Sequence, residues 1–228
     1  MSDTNRVVII GGHGKVALLA APRLASSGLN VESVIRNPEH SEEISALGAT
    51  PVVLDIEQAD VDSLAQQFAG AKAVVFSAGA GGGSPERTVA VDYEAAVRTM
   101  KAAEQAGVKR FVIVSYARAS VDVGTLEKDN SFYPYAKAKH DADAFLRGTD
   151  LDYTILGPGL LTLDPSTQQV TLADGEGNIQ GRAPENDEGN TARETVADVL
   201  THVVVNNAAI RQTVNFYDGQ SPITEAIS

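Results

Sequence analysis

Tyr135 and Lys139 stand four residues apart in Tyr135-Ala136-Lys137-Ala138-Lys139, and Ser115 closes the β-branched run Val112-Ile113-Val114. Positions four apart share one face of a helix, so the two side chains can act together. An ammonium beside a phenol favours the phenolate and lowers the phenol pKa, which equips Tyr135 to exchange a proton with a substrate oxygen while a nicotinamide exchanges hydride. Lys139 could also hold a nicotinamide ribose, and Ser115 could hydrogen-bond and orient a substrate carbonyl. Structural uses compete with these roles. Phe132, Tyr133 and Tyr135 could pack a helix start, and Ser115 could satisfy backbone groups at a strand end, with Tyr116 and Ser120 as substitutes for it.

A second group lies near the N-terminus, where Val7-Val8-Ile9-Ile10 runs directly into Gly11-Gly12-His13-Gly14-Lys15-Val16-Ala17 and then a helical stretch. Strand, glycine loop and helix in that order form the context in which backbone amides cradle a dinucleotide pyrophosphate. Gly11 allows the tight turn, Gly14 a close approach to the pyrophosphate, and Ala17 close packing of helix on sheet. Gly12, His13, Lys15 and Val16 complete the expected cradle, with His13 and Lys15 either meeting a phosphate or standing in solvent. Arg36 ends the second apolar run, where NAD-selective sites place a carboxylate and NADP-selective sites a cation. A guanidinium on the ribose phosphate contributes about 1.5 to 3 kcal/mol, so NADP(H) is the expected cofactor and NAD(H) the alternative. Asn37 could add a donor, and Asp55 could meet the adenine amino group or cap a turn. Ser77, Ala78 and Gly79 leave room for a cofactor over the sheet edge, and Pro158 and Gly159 would shape the floor beside the nicotinamide or merely turn the chain.

Other chemistries are excluded by what is missing or scattered. The chain has no Cys, hence no disulfide, thiolate ligand or cysteine nucleophile. His13, His40, His140 and His202 show no metal-ligand spacing, so no metal is expected. Gly14-Lys15-Val16 lacks the Ser or Thr that a lysine-bearing phosphate loop requires. A formal net charge of -12 over 228 residues repels phosphodiester backbones, so no nucleic-acid partner is expected. No apolar run approaches a membrane span and the N-terminus does not read as a secretory signal, so a cytoplasmic location is expected. The partner that the candidate chemistry calls for is a small-molecule substrate.

These residues need a scaffold, and the periodicity supplies one. Short β-branched runs at 7–10, 31–35, 51–54, 73–76, 110–114 and 153–156 alternate with helical stretches at 15–27, 38–47, 61–68, 85–106 and 134–147. That alternation predicts an α/β Rossmann-type doubly wound parallel sheet with helices on both faces. Gly28, Gly48, Gly70, Gly107 and Gly148 each follow a helix, as left-handed stops, and Asn37-Pro38 caps the second helix. Residues 1–228 read as one domain, with 158–190 as a small substrate-side insertion and C-terminal extension. Within it, 168–173 and 178–181 flank the turn Asp174-Gly175-Glu176-Gly177 as a hairpin. Thr191-Ala192-Arg193-Glu194 reads as a capping box opening a helix over 192–205, and 212–217 as a last strand. Only 79–83 is glycine-dense. The long helices at 85–106 and 134–147 are compatible with a homodimer packed across a two-fold axis.

The pattern Gly11-x-x-Gly14-x-x-Ala17, Arg36, Ser77-Ala78-Gly79, Val112-Ile113-Val114-Ser115, the Tyr135/Lys139 segment with Asp143, and 151–159 together resemble the short-chain dehydrogenase/reductase superfamily. Within it they are most similar to the atypical branch of small NAD(P)-binding proteins, NmrA-like and biliverdin/flavin-reductase-like. The segments Arg193-Glu194-Thr195-Val196-Ala197 and 218–223 extend the likeness almost end to end. Gly157 departs from the arginine many relatives carry before Pro-Gly, so that arginine's contacts cannot be carried over. The resemblance implies an NADP(H)-dependent oxidoreductase acting on a small carbonyl, quinone or flavin-like acceptor. It leaves two alternatives: a nonenzymatic NAD(P)-binding redox sensor or regulator, and a nucleotide-sugar epimerase or dehydratase, for which little chain follows Gly157.

Overall fold

The computed structural model describes residues 5–81 and 84–228; residues 1–4 and two glycines of the dense segment, 82 and 83, lie outside it. All six expected strands are present: β1 (Arg6–Ile10), β2 (Asn30–Ile35), β3 (Thr50–Val53), β4 (Ala73–Phe76), β5 (Arg110–Val114) and β6 (Asp152–Pro158). They pair in parallel. β10 (Gln212–Asp218) joins them in parallel, and β8 (Gln169–Ala173) and β11 (Ser221–Pro222) add an antiparallel edge. The order is β11-β8-β10-β6-β5-β4-β1-β2-β3. Val7, Val8, Ile9 and Ile10 are all fully buried, as a parallel sheet covered on both faces demands.

Side chains alternate across the sheet, and two cores follow from that period of two. Val7 and Ile9 pack with α1 (Lys15–Ser26) and α7 (Arg193–Val205) on one face. Val8 and Ile10 pack with α3 (Val61–Phe68), α5 (Ala96–Gln105) and α6 (Tyr133–Arg147) on the other. Because β2 and β4 flank β1 on opposite sides, the strand order reverses there. A crevice opens at the carboxyl ends of β1 and β4, where Rossmann-type folds bind their ligands.

Several local expectations change. The second helix splits into a 3-10 turn, Pro38–His40, capped by the Asn37 side chain, and α2 (Ser41–Ala46). The helix expected over 85–106 is α4 (Pro85–Thr88), a π-helical segment (Val89–Ala95) and then α5. Gly28, Gly48, Gly70 and Gly107 adopt positive φ, whereas Gly148 has φ -83° and stops α6 without a left-handed residue. No hairpin joins 168–173 to 178–181. Val170 of β8 is fully buried, and the strand gains that burial by pairing with β10 and β11. The 178–181 stretch keeps one bridge between Ile179 and Arg182, and its Ile179 packs against Ala117 and Tyr217 rather than forming a strand beside β8.

The capping box at Thr191 is also absent. Thr191 Oγ1 accepts from the Gly159 amide and donates to the Phe216 carbonyl, while Glu194 accepts from the Ser166 amide. These side chains tie β6, β10 and the extension together instead. The extension adds a small parallel pair, β7 (Leu160–Thr162) with β9 (Asn190–Ala192), and α8 (Ile223–Ala226) follows β11. Among the described residues no helix is long and apolar enough to cross a membrane.

Candidate active site

Two cavities meet above the carboxyl edge of the sheet and share Gly14, Ser77, Ala78 and Gly79. The larger, about 790 Å³, runs past Lys15 and Val16 to Ser115, Tyr135 and Lys139. The smaller, about 300 Å³, runs past Gly11 and His13 to Arg36, Asn37 and Asp55. The expected residues at the two ends of a dinucleotide are thus brought onto one cleft. Gly12, Pro158 and Gly159 line neither cavity. A Cβ on Gly12 would lie 2.5 Å from the Ser33 Cβ, and the Gly12 amide donates to Val34, so Gly12 is packed against β2. Pro158 is buried within β6, and Gly159 packs against the Gly189 backbone and the Tyr217 ring.

The glycine loop fits a pyrophosphate. Gly11 has φ +79°, and a Cβ there would come within 2.6 Å of the Ala78 backbone, so no other residue makes this turn without strain. Gly14 caps α1 with no side-chain hydrogen bond, which leaves first-turn amides facing the cleft as a helix-terminal anion site requires. Lys15 is exposed beside them. The His13 ring stacks on His40 with centroids 3.4 Å apart, and its Nε2 lies 2.7 Å from Glu43. Asn37 and Asp55 have local tasks: Asn37 Oδ1 accepts from the Glu39 amide, and Asp55 Oδ1 accepts from the Glu57 amide.

At the other end, two buried carboxylates that sequence reasoning gave no role organise the reacting groups. The π-helical segment turns Asp92 inward, and its Oδ1 lies 3.1 Å from Lys139 Nζ, with Asp92 1% and Lys139 4% exposed. The contact is an ion pair off hydrogen-bond alignment. Lys139 also donates to the Val114 carbonyl at 3.0 Å, and Asp92 Oδ2 accepts from the Ala80 amide at 3.0 Å. Burial would lower the Lys139 pKa, but its interactions with Tyr135 and with the Asp92 and Asp143 carboxyls leave a net shift upward, so it stays an ammonium. An unpaired cation would be costly here. The only sequence signal for Asp92 was a lone acid in the apolar run Val89-Ala90-Val91-Asp92.

Ser115 Oγ donates to Asp143 Oδ2 at 2.7 Å. Burial pushes the Asp143 carboxyl up to about 6, against the lowering effects of the Ser115 hydrogen bond and of Lys139. Tyr135 packs against both Tyr116 and Phe132, with ring centroids 5.6 and 5.4 Å away, so it lines the cavity and belongs to an aromatic cluster at once. Its pKa is raised, not lowered as expected. Burial outweighs the attraction of Lys139, and the charges of Asp92 and Asp143 add to the rise. Ser120 is exposed and accepts from Arg147, away from the site. Gly157 also has a reason: Asn215 fills the space where a side chain would begin, and its amide donates to the Asp174 carbonyl at 2.7 Å. Among the described residues no group of three or more His, Asp or Glu could hold a metal ion.

Comparison with known proteins agrees with this fold. A UPF0659 protein of Schizosaccharomyces pombe is 31% identical over 239 residues, covering 97% of this chain and 93% of its own. The uncharacterized sugar epimerase YhfK of Bacillus subtilis is 28% identical, covering 97% and 98%. Among solved structures, a Bacillus halodurans chain provisionally assigned as an NAD-dependent epimerase/dehydratase superposes with TM-score 0.82 at 31% identity, covering 97% of each chain. The oxidoreductase ylbE of Lactococcus lactis superposes with TM-score 0.81 at 27% identity, covering 97% and 94%. Residues 11–207 match the NAD(P)H-binding family, from the first glycine of the loop to just beyond α7, and the chain belongs to that family.

Proposed function

We propose that this protein is an NADP(H)-dependent oxidoreductase acting on a small carbonyl, quinone or flavin-like acceptor, with NAD(H) as the lesser cofactor. The observation that carries this reading is the continuous cleft from Arg36 through the Gly14 cradle to Ser115, Tyr135 and Lys139. A bound reduced nicotinamide supplies hydride. The chain's own part is to hold the pyrophosphate on the amides of α1 with Lys15 beside them, to pair Arg36 with the ribose phosphate, and to orient the acceptor oxygen with Ser115 and Tyr135. A neutral Tyr135, kept protonated by burial, is the proton donor for a reduced oxygen. Lys139, held by Asp92, supplies fixed positive charge behind it. The oxidoreductase name of the L. lactis relative supports the reaction class.

Parallel titrations with NADPH and NADH, followed by nicotinamide fluorescence, test the cofactor reading. Arg36→Asp should weaken NADPH at least about tenfold, or 1.4 kcal/mol, and a lack of saturable binding of either nucleotide would overturn it. Turnover with a panel of quinones, carbonyls and flavins tests the reaction. Tyr135→Phe should then cost about 10² to 10⁴ in kcat with little change in NADPH affinity.

A redox-sensor role is the second reading, favoured by one feature: Lys139 and Ser115 are both engaged by buried carboxylates. Turnover with any acceptor decides against it. Relatives of nearly the same length carry epimerase names, so chain length does not separate that third reading, and conversion of a nucleotide sugar without net redox change would. A homodimer and a cytoplasmic location complete the proposal.

A further inference from the structure

Arg87 has no task in the function proposed above, yet it reaches the adenosine-side cavity from α4, opposite Arg36. Both guanidinium groups converge on one oxygen. Arg36 Nη1 lies 2.9 Å from Glu57 Oε1, and Arg87 presents Nε and Nη2 to that same oxygen, each at 3.3 Å. Nε and Nη2 form the edge by which arginine grips a carboxylate or phosphate in bidentate fashion. The backbone carrying Glu57 is anchored. Its amide donates to Asp55 Oδ1, and Arg98 Nη2 donates to the Ile56 and Glu57 carbonyls at 3.0 and 3.2 Å. A carboxylate is therefore held between two cations at the end of the cleft where a dinucleotide would place its ribose phosphate.

We infer that Arg87 and Arg36 together form the 2′-phosphate site, and that Glu57 is an internal anion competing with that phosphate and so sets the preference for NADP(H) over NAD(H). The inference rests on the cofactor reading above. A phosphate dianion offers more charge and more acceptors than one carboxylate, so it displaces Glu57 from the guanidinium groups. The displaced carboxylate stays nearby and repels it. NADH lacks the phosphate and leaves the Arg36–Glu57–Arg87 cluster intact.

The test is calorimetric titration of the full chain and of Arg87→Gln and Glu57→Gln with NADPH, NADH, 2′,5′-ADP and 5′-AMP, with thermal midpoints confirming that each variant folds. Arg87→Gln should weaken NADPH and 2′,5′-ADP about tenfold while changing NADH and 5′-AMP less than about twofold. Glu57→Gln, which keeps a hydrogen-bonding group of the same shape, should tighten NADPH and 2′,5′-ADP about fivefold and leave the other two unchanged. Equal weakening of all four ligands in Arg87→Gln, or an unchanged or lowered NADPH-to-NADH ratio in Glu57→Gln, overturns the inference. A wild-type protein indifferent to the phosphate, beside a Glu57→Gln variant that prefers NADPH, removes the NADP(H) preference and keeps the role of Glu57. Binding of none of the four removes both.

Discussion

At the scale of single residues, the site is governed by carboxylates placed behind the groups that face the cleft. Asp143 is fully buried, and its pKa of about 6 lies above the ordinary 3.8 because burial penalises the charged form. A carboxyl with a raised folded-state pKa binds its proton more tightly folded than unfolded, so the stability it contributes falls as pH rises from about 4 through about 6. Asp143→Asn abolishes that dependence. Between pH 5 and pH 8, denaturant unfolding should show the variant gaining about 1.4 kcal/mol on the wild type, and parallel pH curves for the two would refute the assignment. Ser115, Tyr135 and Lys139 were legible from type and spacing. The direction of the Tyr135 shift was not, because it depends on how much water the fold removes and on charges from other elements.

At the scale of elements, the π-helical segment and the glycine loop are where local geometry shapes the candidate site. A regular helix from Pro85 onward would advance 100° per residue; the wider turns of Val89–Ala95 bring Asp92 to Lys139 instead, and such segments recur at functional sites. Asp92→Ala should cost about 3 to 5 kcal/mol by leaving a buried ammonium unpaired. Adding Lys139→Met should recover part of that loss, and an additive double variant would show that the two residues act independently. In the glycine loop, Gly12→Ala should destabilise by about 1 to 3 kcal/mol through the clash with Ser33, and Ser33→Gly in the same chain should relieve only part of it, because the Cα of residue 33 also lies 2.9 Å from the added Cβ. The loop's presence was legible from strand, glycines and helix in sequence. The division of labour within it was not: Gly12 was expected to touch the cofactor, yet its neighbour is β2.

At the scale of the whole molecule, Arg110 joins the central sheet to the C-terminal part of the chain. Its guanidinium is buried, with a pKa lowered to about 10 by burial against the opposing charge of Asp152. It donates to the carbonyls of Asp152, Val203 and Ala208. Val203 lies in the last turn of α7, whose carbonyls have no partner within the helix. Arg110→Met removes three hydrogen bonds at once and should lower stability by about 3 kcal/mol or more, read by denaturant unfolding. A change below about 0.5 kcal/mol would show that water replaces the guanidinium without cost.

The sequence by itself determined the alternation of strand and helix, the parallel pairing of the strands, the glycine loop between β1 and α1 and the Tyr135–Lys139 spacing, since each rests on a period or on neighbours a few residues apart. The same local rules erred on the Thr191 capping box and the hairpin at Asp174. There, side chains and edges found better partners far along the chain, Phe216 for Thr191 and β10 for β8. Only the tertiary structure decided which charges face one another: Asp92 with Lys139, Asp143 with Ser115, and Glu57 between Arg36 and Arg87. Ser115 and Asp143 are 28 residues apart, and no short-range period relates them. Their meeting follows from α6 packing beside the end of β5, and it is burial at that junction that gives each charge its energetic weight.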